Sequence, residues 1–251
     1  MLRYLQQEVG TAAVGGAALR RFCEESVARM DWLQRHGVEF VGALCPYRTS
    51  YPTGPYSLYF SGNEKAHPYA AIAEPAPRGH RVMGSGAGSM NMTGNVLWET
   101  MFTSAVRMGV RFEFASKVES LLFDSDTGAV QGVRYTSMDP SCREFAKHKA
   151  LTMKGSRYHQ LSVRILANLY DRCAEALWRC KATTKTLVGQ SVILAAGGFG
   201  MNENMVKGWI PWYKRVSPLG TSGDNGSGIK LGQSAGGAVS HMHRMSAWRL
   251  M

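Results

Sequence analysis

Four small residues directly follow a short apolar run, and their spacing suits the binding of a ligand better than any other part of this chain. Residues 192–194 are Val-Ile-Leu and predict a short buried strand, which Ala195, Ala196, Gly197 and Gly198 follow directly. Because these four residues have almost no side chain, the backbone can come very close to another group. That arrangement suits the C-terminal edge of an α/β sheet on which a flat ligand lies. A strand with a tight turn packed on a helix explains the same residues equally well.

Other groupings of reactive side chains give weaker indications. His241 and His243 would share one face of a strand, but no third ligand lies nearby in the sequence, so we predict no metal. The five cysteines form no Cys-x-x-Cys pair, and the sequence starts without a signal peptide. Both observations favour reduced thiols in a cytoplasmic protein. No apolar run approaches the roughly 20 residues that span a bilayer, so we expect no transmembrane segment.

A segment rich in proline and tyrosine separates the first part of the chain from the rest. Residues 45–81 hold most of the prolines and half of the tyrosines, a composition that argues against long regular elements. Tyr56 and Tyr59 lie in this segment, and a tyrosine offers both an aromatic face and a hydroxyl. They are weak candidates for contact with a substrate. A surface excursion packed by its own rings has equal support.

Positive charge is concentrated in one segment. The chain has a net charge of +11, and residues 143–185 contain ten Lys and Arg against three acids. Such a segment can attract nucleic acid or an anionic membrane. It carries no recognised nucleic-acid motif, so we favour a solvated helix face on an insertion and expect no nucleic-acid partner.

Periodicity predicts the elements that would position these residues. Apolar residues at steps of three and four predict helices, and alternating or short apolar runs predict strands. The predicted helices are 14–36, 94–109, 157–178, 205–209 and 229–234. The predicted strands are 38–41, 56–60, 111–114, 117–124, 130–135, 191–196 and 238–243, with a turn at Asp126-Thr-Gly128. The fold class is therefore α/β.

Several segments in a fixed order resemble one family of proteins. They are 31–40, 51–52, 56–64, 75–81, 109–112, 117–121, 128–133, the Ala-Ala-Gly-Gly-Phe-Gly run at 195–200 with Asn202 and Met205, the glycine-rich run 220–229, and 235–238. In these segments the chain resembles the flavoprotein family of fumarate reductases and 3-ketosteroid dehydrogenases. Within that family it looks most like the 3-ketosteroid Δ4-type dehydrogenases. The interval from about 136 to 186 lies outside the likeness.

The resemblance implies an enzyme with FAD as its cofactor. Family members are dehydrogenases or reductases that move hydride to or from a carbon–carbon bond next to a carbonyl. The expected substrate is a steroid enone or a fumarate-like dicarboxylate. A non-catalytic flavoprotein fragment and a basic nucleic-acid-binding module are the alternatives.

The resemblance also assigns residues to the cofactor. The family strand that corresponds to 117–121 presents backbone groups to the adenine, so Val118 is assigned through its N–H and C=O. Ala195, Ala196, Gly197 and Gly198 correspond to the element that passes close to the flavin nucleotide.

Two polar residues complete the assigned set. Asn202 matches a polar family position, although it could instead cap the next helix. Asp224 is assigned to a cofactor hydroxyl or a helix cap; a gap-free match to Ile229 would put Ser227 there, and we favour Asp224 on its chemistry. No catalytic residue is assigned.

The resemblance predicts an incomplete FAD-binding domain. We expect a partial FAD-binding domain over 1–135, a basic helical insertion over 136–188, and over 189–251 a return to that domain and the start of a substrate cap. The family's Gly-x-Gly-x-x-Gly turn after an N-terminal strand is missing, and Gly84–Ser89 has the glycines in the wrong surroundings. We interpret the chain as an internal fragment of a longer flavoprotein that binds FAD weakly or not at all.

Overall fold

A computed structural model gives the fold of this protein and describes residues 1–10, 15–47, 52–86, 93–160, 163–212, 221 and 223–244. The chain divides into two compact units, Met1–Phe112 and Glu113–Met251. The first contains α1 (Leu2–Val9), α2 (Gly16–Arg35), β1 (Leu58–Tyr59), α3 (Tyr69–Ile72), β2 (Gly79–His80) and α4 (Gly94–Arg107). The second contains β3 (Ser116–Phe123), β4 (Val130–Ser137), α5 (Arg143–Gln160), α6 (Arg164–Lys181), β5 (Thr183–Val188), α7 (Glu203–Trp209) and α8 (Ser227–Ser234).

The two long helices of the first unit form where the apolar period predicts them. α2 ends at His36, and Gly37 follows with a φ of 94°, a backbone conformation that glycine adopts without strain. α4 likewise ends just before the glycine at 109. The predicted helices 14–36 and 94–109 are therefore confirmed, with shifts of one or two residues at their ends.

A buried ion pair organises the loops of the first unit. Glu64 is only 1% exposed, and its Oε1 lies 3.2 Å from Nη1 of Arg78. The backbone N–H of Gly62 donates to the other carboxylate oxygen at 2.9 Å. The guanidinium of Arg78 lies over the ring of Tyr4, whose hydroxyl accepts the N–H of Asn63 at 3.1 Å. Burial raises the pKa of the Tyr4 hydroxyl. These contacts connect α1 to the loop before α3.

An antiparallel sheet with the order β3-β4-β5 forms the frame of the second unit. Its first turn is set by Asp124, whose Oδ1 accepts the backbone N–H of Asp126 at 3.1 Å and of Thr127 at 2.8 Å. A hydrogen bond from the Thr127 hydroxyl lowers the pKa of Asp124 most, and the two backbone bonds lower it further. The hairpin predicted from Asp126-Thr-Gly128 is confirmed.

Two packed helices stand between the second and third strands of this sheet. α5 and α6 lie side by side, with Ala167 and Ala174 of α6 buried. His159 Nε2 lies 2.7 Å from Asp171 Oδ2, which connects the C-terminal end of α5 to α6. The helix predicted over 157–178 is wrong in its bounds, because Val163 has a non-helical ψ of 73° and caps α6. Splitting the segment lets the two helices bury their apolar faces against each other.

Several predicted strands are wrong. The structure has no strand at 38–41, 111–114, 191–196 or 238–243, although all of these residues are described. Ile193, predicted to be buried, is 89% exposed. A short apolar run becomes a strand only when another strand pairs with it, and no described segment pairs with these four. Residues 87–89 of the glycine cluster at 84–89 lie outside the described residues.

Candidate functional site

A short helix begins at one of the predicted site residues. Asn202 is the N-cap of α7, and its Oδ1 accepts the backbone N–H of Met205 at 3.1 Å. Its side-chain Nδ2 donates to the carbonyl of Asn225 at 2.8 Å. The structure therefore gives Asn202 the capping role that the sequence allowed, and adds a bond to the glycine-rich run.

The small-residue segment and the glycine-rich run lie against each other. The N–H of Gly226 donates to the carbonyl of Gly198 at 2.9 Å, and the N–H of Met201 donates to the carbonyl of Asp224 at 2.9 Å. A Cβ added at Gly228 would lie 3.0 Å from the Cβ of Ala196. The absence of side chains thus serves a close approach of two backbones.

Gly197 and Asp224 meet at the centre of this contact. Gly197 has a φ of 72°, and a Cβ added there would collide with Oδ1 of Asp224. The Asp224 side chain is half-buried, and no hydrogen-bond donor reaches its carboxylate from the part of the chain that the structure describes. This carboxylate can accept a hydrogen bond from a ligand. Asp224 lies beside Gly197, and the alternative Ser227 is the first residue of α8, so the choice of Asp224 stays a prediction.

The surface of the contact is open and nearly free of side chains. Residues 195–198 are all exposed. β3 forms one edge of the described sheet and contacts α8, so Val118 belongs to the same unit as the small-residue segment. Val118 is 38% exposed and pairs with Tyr135 of β4. An edge strand directs alternate backbone groups away from the sheet, and the role of the Val118 backbone toward the adenine stays a prediction.

The tyrosines proposed for the substrate belong to the first unit. The ring of Tyr56 packs edge-on against Tyr47, with centroids 6.1 Å apart. The ring of Tyr59 covers Gly79 of β2, where an added Cβ would collide with it. A cavity of about 120 Å³ lies nearby between Tyr47 and Phe60, but neither Tyr56 nor Tyr59 lines it. Both rings therefore pack on their own loops.

Asn225 is a site residue that the sequence prediction missed. Its carbonyl accepts the Asn202 amide, and its Oδ1 accepts the N–H of Ser227 at 3.0 Å. The second bond is an Asx turn, which orients the chain into α8. The signal was present in the Asp-Asn-Gly sequence before a helix, a typical turn composition.

No metal centre accompanies this site. Among the described residues, no group of three or more His, Cys, Asp and Glu side chains is placed to hold a metal ion. His241 and His243 have ring centroids 6.2 Å apart, and their segment is not a strand. The described residues also contain no helix that is long and apolar enough to cross a membrane.

Comparison with known proteins identifies the family of this chain. Residues 1–248 match the family described as FAD binding domain. The chain belongs to this family. FAD is therefore the cofactor that its binding residues must fit.

Two proteins that are similar to this chain are both named as steroid dehydrogenases. The chain is 29% identical over 257 residues to a 3-oxo-5-alpha-steroid 4-dehydrogenase of Comamonas testosteroni, a match that covers 100% of the chain and 46% of the relative. It also matches the crystal structure of 3-ketosteroid-delta4-(5alpha)-dehydrogenase from Rhodococcus jostii RHA1 in complex with 4-androstene-3,17-dione. That match has a TM-score of 0.72 and 23% identity, and it covers 97% of the chain and 41% of the solved structure. The chain thus spans less than half the length of both relatives, and the likeness to the solved structure shows the fold.

The residues present fit FAD. Residues 195–198 give an exposed surface of methyl groups and bare backbone, on which a flat ring system or a pyrophosphate meets no bulky side chain. The Asp224 carboxylate beside that surface can accept a hydroxyl of the ribityl or ribose group. The predicted α/β fold class and its mixture of helices and sheet agree with the matched fold.

Proposed function

We propose that this chain forms part of an FAD-dependent oxidoreductase that acts on a steroid enone. The observation that carries the proposal is the exposed 195–198 segment, which is held against the glycine-rich run with the Asp224 carboxylate at its side. Both relatives carry names of steroid dehydrogenases, which supports a steroid over a fumarate-like dicarboxylate.

The proposed roles follow from which backbone and side-chain groups of the site remain available to contact FAD. Gly198 and its small neighbours in the run 195–198 would lie against the cofactor, and Asp224 would accept one of its hydroxyl groups. Val118 would contribute backbone N–H and C=O groups from the sheet edge. Asn202 would act indirectly, because its amide already bonds to Met205 and Asn225 and so fixes the distance between the two segments.

Bound FAD would supply hydride transfer to or from a carbon–carbon bond next to a carbonyl. The contribution of the chain's own residues is to hold the cofactor and to exclude bulky groups from the surface that it occupies. Tyr56 and Tyr59 remain weak proposals for the substrate side. The proposal assigns no proton donor or acceptor to this chain.

The basic segment is proposed to be an insertion in the FAD-binding domain. We keep the division into 1–135, 136–188 and 189–251 as part of this proposal. Its support is that α5 and α6 leave and rejoin one sheet between neighbouring strands, since Ser137 of β4 pairs with Thr183 of β5.

Flavin binding is the first experiment. The purified chain is mixed with FAD and desalted, and its absorbance in the visible bands of oxidised flavin is recorded. Retained flavin supports the proposed site, and steroid enones and fumarate are then assayed. A colourless protein would agree with the weak binding expected of a fragment, and FAD binding is then titrated by flavin fluorescence without desalting. No binding at any FAD concentration would contradict the assignment of FAD binding to these residues alone.

A matched pair of variants ties any bound flavin to the site. A Cβ added at Gly198 or at Gly200 meets no atom of the described residues within 4 Å, so neither substitution should disturb the fold. Gly198→Val is expected to weaken FAD binding by at least tenfold, because the side chain occupies the proposed cofactor surface. Gly200→Val lies beyond that surface and should bind FAD as the unmodified chain does. Equal binding by both variants would place the flavin elsewhere.

A further inference from the structure

The solvent-facing side of α6 is apolar. Ile165, Leu166 and Leu169 are 84%, 38% and 55% exposed. The opposite side of the helix holds the buried residues Ala167 and Ala174. We call the three exposed residues Ile165, Leu166 and Leu169 the apolar stripe. A surface helix normally directs its apolar side to the core. α6 is unusual because one apolar side packs on the neighbouring helix and a second apolar side faces solvent.

Cationic side chains border the apolar stripe. Arg172 is exposed and lies seven residues after Ile165, which puts the two side chains on nearly the same face of α6. From α5, the Lys154 ammonium lies 5.7 Å from the ring centroid of Tyr170. Tyr170 is four residues after Leu166, so Lys154 reaches the flank of the hairpin that carries the stripe. Together the two helices hold nine Lys and Arg against three acids.

We propose that the α5–α6 hairpin attaches this protein to the surface of an anionic lipid membrane. The apolar stripe would enter the boundary between headgroups and acyl chains, and Lys154 and Arg172 would contact lipid phosphates. This combination of an apolar stripe with cations beside it is the pattern of helices that lie in the membrane interface. The net charge of +11 would draw the whole chain toward such a surface from a distance.

Charge and polarity favour a lipid surface over other occupants. A second copy of the chain would bring the cations around one stripe against those around the other, and like charges repel. A nucleic acid would match the cations, but its phosphates gain nothing from three exposed aliphatic side chains. An anionic membrane matches both features. The proposal does not depend on the flavin site, which lies outside the hairpin.

Co-sedimentation with vesicles tests the proposal. The full chain is spun with vesicles of phosphatidylcholine containing a minority of phosphatidylglycerol, and separately with vesicles of phosphatidylcholine alone. We expect binding to the anionic vesicles only. Added salt should weaken the binding without abolishing it, because apolar insertion is not screened. Equal sedimentation with both vesicles, or with neither, would overturn the proposal.

Two pairs of variants separate the contributions of the stripe and of the cations. Ile165→Asn with Leu169→Asn should lower vesicle affinity by on the order of a hundredfold, about tenfold for each side chain that no longer inserts. Val27→Asn, which changes an exposed residue of α2, should leave affinity unchanged. Arg172→Gln should lower affinity roughly fivefold. Arg20→Gln removes the same charge from α2, which belongs to the other unit, and should have a smaller effect.

The result that overturns the proposal is equally specific. All five substituted positions are exposed, so circular dichroism should show that each variant folds. If the α2 variants weaken vesicle binding as much as the hairpin variants do, attraction is non-specific and the hairpin is not the docking surface. If a single-stranded RNA binds the chain, displaces vesicles and is insensitive to the Ile165 and Leu169 substitutions, the cations serve nucleic acid instead.

Discussion

Replacing Gly197 by alanine tests the central contact of the candidate site. Gly197 has a φ of 72°, so an alanine there would occupy a left-handed conformation, which costs about 1–2 kcal/mol. Its Cβ would also collide with Oδ1 of Asp224, and forcing a carboxylate out of a packed contact adds about 1–3 kcal/mol. The two costs together predict a loss of roughly 2–5 kcal/mol in the free energy of unfolding.

A neighbouring glycine and a double variant supply the controls. Gly198 is outside the left-handed region, and a Cβ there meets no atom within 4 Å. Gly198→Ala should therefore be neutral or stabilise by up to about 1 kcal/mol, through the loss of freedom in the unfolded chain. Combining Gly197→Ala with Asp224→Ala removes the collision and keeps the backbone strain, so about 1–2 kcal/mol of the loss should remain.

Equilibrium unfolding in urea, followed by tryptophan fluorescence, measures Gly197→Ala, Gly198→Ala, Asp224→Ala and the double variant against the unmodified chain. The coupling between the two substitutions should be about 1–3 kcal/mol. A coupling near zero would show that Gly197 and Asp224 do not touch. A Gly197→Ala variant as stable as Gly198→Ala would show that the left-handed backbone at 197 is not present.

Two further predictions concern a helix cap and a histidine. Asn202→Ala should destabilise the second unit by about 1 kcal/mol or more, since it removes the cap on Met205, and a lower urea midpoint would report this loss. His148 packs against Trp178, and burial lowers its pKa from the ordinary value of 6.5, with Glu175 opposing the shift. The unfolded chain therefore takes up the proton first, so this stability is present above pH 6.5 and is lost as the pH falls through the folded pKa. As the pH falls through that range, the melting temperature of a His148→Phe variant should decrease less than that of the unmodified chain.

Each of these predictions has a matched comparison. Asn202→Asp keeps an acceptor for the cap and loses only the bond to Asn225, so it should lose less stability than the alanine variant. Equal losses would refute the capping role. His243→Phe changes an exposed histidine outside the α5–α6 hairpin. If it flattens the pH dependence as much as His148→Phe does, burial beside Trp178 is not the cause.

Long periodic elements were predictable from the sequence. α2 and α4 each carry an apolar repeat over several turns and end beside a glycine, so local preference and the stop signal agree. The β3–β4 hairpin was predictable because Asp124 and Thr127 build the turn within a few residues. In each case the information lies within the element itself.

Short apolar runs were not predictable in the same way. The apolar run at 191–196 predicts a strand, yet Ile193 is exposed because no described strand lies beside it. Whether such a run pairs is decided by residues far away in the sequence. The break before α6 was missed for a related reason, since the two helices are favoured by burial against each other and not by a glycine or proline at the turn.

The candidate site was predictable in its residues but not in its internal bonds. The small-residue segment and Asp224 were identified from composition and resemblance, and their roles toward FAD remain predictions. The contact between Gly197 and Asp224 depends on the φ angle of Gly197, and it joins two residues that are far apart along the chain. The role of Asn225 depends on which way its amide turns, and its residue type does not reveal that.

The pairing of Ser137 with Thr183 holds the two ends of the intervening chain side by side, so the register of the sheet does not depend on the length of that chain. Because the two ends of the intervening chain are neighbours, that chain can lengthen, shorten or be exchanged for a tight turn while β4 and β5 keep their register. Doubling the length of such a loop costs only about 0.6 kcal/mol in closure entropy. The position of the α5–α6 hairpin is therefore a natural acceptor for grafted domains, reporters or affinity tags, and a graft that replaces the hairpin loses the hydrogen bond from Trp178 of α6 to Thr136 of β4.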